Sequence, residues 1–299
     1  LLITFTKFSF STKSQKPKKE IKEIKVTNSA AKAINPVLLT YDNTFSFFKL
    51  WYLIKFETKA ILKNPTFIII VIIGLLNLIA SLTSFTGRYG TDQYPVTYDI
   101  IDTIKGSFYL FLIAIITFYT GVLVWKERDV KINEIQDATP IQTSIFFVSK
   151  IMALIAAVAF ILMTTMIIGI IAQTAFGYYR YQLDVYINSL LIMDLLSFSF
   201  LIIIALLFHY MINNRYIAYF AFVSFIILNQ FIWGVLKIST NMVKFGSTPT
   251  VTYSDMNGFG PFIPSTIWFN IYWIIFSIIL VYIVLSFYVR GKETDFRQR

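Results

Sequence analysis

Seven charged residues crowd into the sixteen of WKERDVKINEIQDATP (125–140), between two long apolar runs. Acids and bases at that density suit charge-complementary docking against another protein surface. Ile132 and Ile135 fall on one helical face, with Glu127, Lys131 and Glu134 on another at i, i+4 and i+3 spacing. Pro140 closes the segment. A plain connector between antiparallel helices needs about 2–8 residues. This one is longer, so its spacing predicts a short amphipathic helix with Arg128, Asp129 and Asp137 among its docking charges.

Asp194 is a different case, an acid inside an otherwise apolar run. Such groups are costly in a bilayer and face a bundle interior or a wet cavity. Two readings stay open: a translocation-path or proton-linked group, or an acid near the membrane surface if its span begins later. The single histidine, His209, sits beside Tyr210 and reads as structural, without the serine or aspartate constellation of a hydrolase. One histidine excludes an H-E-x-x-H zinc helix, and no G-x-x-x-x-G-K-[ST] loop is present to cradle ATP phosphates. With no cysteine there is no disulfide and no thiolate ligand, and the redox compartment stays open.

The elements that must hold these residues are membrane helices. The chain is 57% hydrophobic and 14% charged, against about 25% charged in a soluble domain. About 20 apolar residues cross a bilayer core. Six runs are long enough, at 66–86, 106–125, 150–175, 186–208, 216–237 and 267–289. The fold class is therefore all-α, a six-span membrane domain over 66–290 with a tail at 291–299. Twenty-one of the 26 lysines and arginines fall on one side of this topology. The positive-inside rule puts that side, both termini and the 125–140 stretch in the cytoplasm. Arg88, Lys105, Arg180, Lys237 and Lys244 remain for the other side. The net charge of +10 then reflects topology and contact with anionic lipid; it does not indicate a nucleic-acid partner.

Residues 1–40 read as a lysine-rich cytoplasmic linker after a preceding span, since LLITFTKFSF resembles a helix exit and lacks signal-peptide features. A segment of a longer protein is expected. In 41–65, Phe47, Leu50, Trp51, Ile54, Ile61 and Leu62 oppose Lys49, Lys55, Lys59 and Lys63. That predicts an interfacial helix anchored by its lysines and Trp51, before Pro65 permits a turn into the first span. Asn77, Gln173, Asn229 and Gln230 suit interhelical hydrogen bonds. The loop 238–266, with Tyr253, Phe259 and Phe262, suits an ordered cap.

Glu127, Arg128, Asp129, Glu134, Pro140 and Ile141 fall in register with E-R-E-x-G-T-x-E-x-x-x-x-x-P-[VI]. This resembles the segment after the second of six spans in ABC type-2 exporter permeases, except that Lys131-Ile132 replaces Gly-Thr. The resemblance implies that this segment is a coupling helix and that the helix before span one is its elbow. It also implies a separate ATPase subunit carrying ATP and Mg, a second six-span half, and a bacterial cytoplasmic (inner) membrane location. This chain would hold no cofactor and catalyse nothing by itself. TVTYSDMNGFG (250–260), WFNIYW (268–273) and VRGKE (289–293) resemble a bacterial subfamily in which a duplicated permease is fused to a gluzincin-type zinc aminopeptidase. Substrate class is not legible. Two other readings stand: a secondary transporter, which requires paired intramembrane charges or broken helices, and a membrane anchor or regulator of an attached extracytoplasmic peptidase.

Overall fold

The computed structural model describes residues 43–84, 94–137, 139 and 141–288. The linker and tail, and Pro140, lie outside the described residues. Helix α1 (Asn43–Leu62) precedes α2 (Pro65–Thr83), α3 (Thr97–Asp129), the one-turn α4 (Asn133–Asp137) and α5 (Thr143–Ala175). Then come α6 (Leu183–Met211), α7 (Arg215–Val235) and α8 (Ile263–Phe287). Six of these helices, α2, α3, α5, α6, α7 and α8, are long and apolar enough to cross a membrane. The described residues contain no strand, only one isolated bridge, Ser254 to Gly258.

Local chemistry sets the helix ends. Asn64 caps α2, its side chain accepting from the Thr66 amide at 2.9 Å, with Pro65 in the first turn where no amide is needed. Asn214 caps α7 in the same way, accepting from Tyr216 and Ile217, which lets a tight turn reverse the chain between α6 and α7.

Helices α3 and α5 are each 33 residues long, about 50 Å, so both run well past a 30 Å hydrocarbon core. The helices thus extend beyond the expected spans at 106–125 and 150–175. The charges of TYDIIDTIK suggest a loop, but Ile100, Ile101, Ile104 and Phe108 keep one buried face through it. Lys105 therefore belongs to α3 and Lys150 to α5, rather than to connecting loops. Helices α3, α5 and α6 pack on one another and form the centre. Phe108, Leu112, Ile115, Leu154, Ile161, Ile202 and Leu206 are buried there. Helices α2, α7 and α8 flank it with mostly exposed apolar faces.

Two further features stand outside the regular helices. Helix α6 contains a π-helical segment, Ile187–Asp194; such wider turns are uncommon and cluster at functional positions. The loop after α7 is an ordered cap made of turns and one 3-10 turn, Gly260–Phe262. Asn229 donates to the Phe245 carbonyl and accepts from its amide, while Trp273 donates to Ser247. Tyr253 stacks edge-on against Phe259.

Candidate functional site

The stretch around 125–140 is built as a lever with a tip. Helix α3 continues through Glu127, Arg128 and Asp129 and then stops. The Ile132 amide reaches back to the Glu127 carbonyl (3.0 Å) and the Lys131 amide to that of Arg128 (3.1 Å). This is a Schellman stop, which requires a left-handed residue between cap and exit. Lys131 fills it at φ 58°, the position where the resembling motif has glycine. The lysine keeps the turn's shape at a conformational cost. The expected helix over 126–140 is thus reduced to the single turn α4, and Glu127 and Lys131 do not share a face.

Glu127 turns inward. Its carboxylate takes the ammonium of Lys150 on α5 at 2.6 Å, and the same ammonium donates to the Leu123 carbonyl at 3.0 Å. Lys150 is 3% exposed and Glu127 17%. Glu57 of α1 is buried within the field of the same group: burial raises its carboxyl above its ordinary value, while Lys150 pulls it down and Glu127 adds to the rise. One buried cation therefore joins the end of α3 to the start of α5, with Glu57 of the interfacial helix in its field. Neither Glu57 nor Lys150 stands out in the sequence. The only signal was that each is a charge on the buried face of an apolar periodicity.

The remaining tip residues face outward. Arg128 lies 5.0 Å over the Trp125 ring, and Asp129 pairs with Arg215 of α7 at 2.8 Å. Val130, Ile132 and Ile135 are exposed, Ile135 by 70%. Glu134 and Asp137 lie within α4; their side chains fall outside the described residues. The tip thus presents aliphatic residues ringed by charge, with Glu127 holding it from behind.

Beside this tip, His209 is fully buried. Its Nδ1 accepts from the Trp125 indole at 3.2 Å and its ring meets Tyr219 edge-on. Tyr219 passes directly over Gly121 and donates to the Phe118 carbonyl at 3.2 Å. That close approach is why residue 121 has no side chain.

Toward the opposite end, Asp194 ends the π segment and meets Lys105 of α3 at 3.2 Å, with the Tyr109 hydroxyl donating to the same carboxylate oxygen. Helix α6 begins at Leu183, earlier than expected, so Asp194 lies about 16 Å along it. The Lys105 cation balances its charge and the Tyr109 phenol adds a hydrogen bond. Gln173 ties α5 to Pro95 and Thr97 and accepts from Tyr186, and Asn77 joins α2 to the Ser107 carbonyl. Lys55, Lys59 and Lys63 are exposed on α1 and Lys49 is half-buried. Helix α1 packs most extensively on α5, and Glu57 and Ile61 are its buried residues among those described. Phe47, Phe48, Trp51 and Phe56 stay exposed, so its aromatics do not all share one buried face.

A family model described as ABC-2 family transporter protein matches residues 53–230, more than half of the chain. The match spans all three interhelical ion pairs, the Schellman stop and α4. No curated protein and no solved structure gives a significant match. The chain belongs to the ABC-2 family of transporter proteins.

Proposed function

We propose that this chain is the membrane-spanning permease half of an ATP-driven exporter. In this reading it works with a separate ATPase subunit, which carries ATP and Mg, and with a second six-span half. The α4 tip faces the cytoplasm of a bacterial cell, as the lysine and arginine asymmetry favours. The observation that carries the reading is the tip itself: a helix far longer than a bilayer, stopped by a Schellman turn, presenting Val130, Ile132 and Ile135 among charges. Such a surface fits a groove on a nucleotide-binding partner, with Arg128, Asp129, Lys131, Glu134, Asp137 and Pro140 setting register. Movement of the partner on binding ATP would then push α3 as a rigid lever, because Glu127 and Lys150 lock its end to α5. Lys49, Trp51, Lys55, Lys59 and Lys63 anchor α1 at the interface.

The test is co-purification of the full-length protein with its ATPase subunit, comparing wild type with Ile135→Asp and Arg128→Glu. Loss of the complex and of stimulated ATP hydrolysis, with thermal stability retained, is expected. Normal binding by both variants overturns the docking reading and favours a membrane anchor for an attached extracytoplasmic peptidase.

The Lys105–Asp194 pair beside a π-helical segment favours a second reading, in which an ion gradient rather than ATP drives transport. Transport in proteoliposomes separates the two. Abolition by a protonophore, with no need for ATP, supports the gradient; dependence on ATP and the partner supports the exporter.

A further inference from the structure

Helix α1 has a second working face. Lys55, Lys59 and Lys63 follow one another at four-residue spacing along one wall of a groove of about 740 Å³ between α1 and α5. Trp51 stands at one end, and Met152 and Ile155 form the opposite wall. No acid lines the groove. The acid within this part of α1, Glu57, is turned away and buried toward Lys150. Among the described residues, none of the three lysines has a carboxylate partner. The apolar wall also does not end with the groove: Phe160 and Met163, exposed further along α5 on the side of Met152, continue it down the span.

We propose that this groove is a discrete site for one anionic phospholipid. The three ammonium groups hold the phosphate and charged headgroup, their stems lying on the groove wall. One acyl chain runs past Met152 and Ile155 and on along α5. The continuous apolar floor favours lipid over an acidic protein segment, which would need polar partners along its backbone. The volume is in the range of a small-molecule site, so the occupant is a single molecule rather than a diffuse charged surface. A lipid seated here bridges α1 to α5 from the face opposite the buried Glu57 and the Lys150–Glu127 pair. It therefore reinforces the base of the lever.

The experiment titrates the full-length protein, delipidated in neutral detergent, with phosphatidylglycerol carrying brominated acyl chains. Quenching of Trp51 is read as the difference from Trp51→Phe. Saturable quenching is expected, with brominated phosphatidylcholine much weaker. Each lysine contributes about fivefold near an anionic headgroup, so the Lys55→Gln, Lys59→Gln, Lys63→Gln triple variant should bind roughly a hundredfold more weakly. Met152→Trp should block quenching with all lysines present, and Lys237→Gln with Lys244→Gln, outside the groove, should change nothing. Equal quenching by the two lipids, or by the triple variant and wild type, overturns the site. Displacement by glycerol phosphate as effective as by lipid would make it an anion site without an acyl chain. Unaltered lipid binding with loss of the ATPase complex would make it a protein-docking face, also against the proposal.

Discussion

Replacing Lys150 by methionine keeps the side chain's length and removes the cation from between two carboxylates. In the native chain that ammonium, 3% exposed, lies 2.6 Å from the Glu127 carboxylate and 3.0 Å from the Leu123 carbonyl, with Glu57 buried toward it from α1. Breaking a buried pair by deleting one partner costs about 3–5 kcal/mol, chiefly because the other charge stays behind. A loss of about 4 kcal/mol at pH 7 is expected, since two acids rather than one are left without compensation. Adding Glu127→Gln removes one of those stranded charges and should restore most of the loss, because a neutral replacement of both partners is often tolerated. The assay is thermal unfolding of both variants in detergent, repeated at lower pH. Burial raises the Glu57 carboxyl above its ordinary value of 4.5, so the folded state binds a proton more readily than the unfolded chain. Between those two pKa values stability falls as pH rises. Lys150→Met removes the cation that opposes this rise, which steepens the trend, so the variant should recover as pH falls toward 4.5. A Lys150→Met protein within about 0.5 kcal/mol of wild type, or a double variant no better than the single, refutes the buried-cation argument.

Lys131→Gly should stabilise the protein by about 1 kcal/mol, since glycine adopts the left-handed conformation of the α3 stop without a Cβ penalty; thermal unfolding measures the gain. At the other pair, Lys105→Met should cost about 3 kcal/mol, and Asp194→Asn distinctly less. The amide still accepts from Tyr109, and the freed lysine can extend its stem toward the membrane surface. Chemical denaturation in detergent, with the double variant, gives the coupling. Gly121→Ala would put a methyl 2.1 Å from the Tyr219 hydroxyl oxygen and 2.3 Å from its ring. It should cost about 1–3 kcal/mol in wild type and little in a Tyr219→Ala background, compared by thermal unfolding.

The number of spans was legible because an apolar run of bilayer length has few other uses. Their ends were not, and the reason is physical. Asp99, Asp102 and Lys105 interrupt the hydropathy before Ser107, yet helix continuation depends on one face only. Ile100, Ile101, Ile104 and Phe108 supply that face without a break. The charged tip at 125–140 was legible as a place, but its geometry turned on a lysine adopting a glycine conformation, which composition does not register. The π segment INSLLIMD carries no compositional mark at all. The two least exposed ion pairs join residues far apart in sequence, Lys105 with Asp194 and Glu127 with Lys150, so no local spacing rule reaches them. What each member does show locally is a charge within an apolar helical face. In a bilayer such a charge is too costly to stand alone. Lys105 and Asp194 could thus each have been read as requiring an opposite charge elsewhere in the bundle, and Lys150, the one cation near the start of span three, as requiring an acid on a neighbouring helix. Reading Lys105 and Lys150 as loop charges placed them in water, and with them went the two contacts that fix where the lever is held.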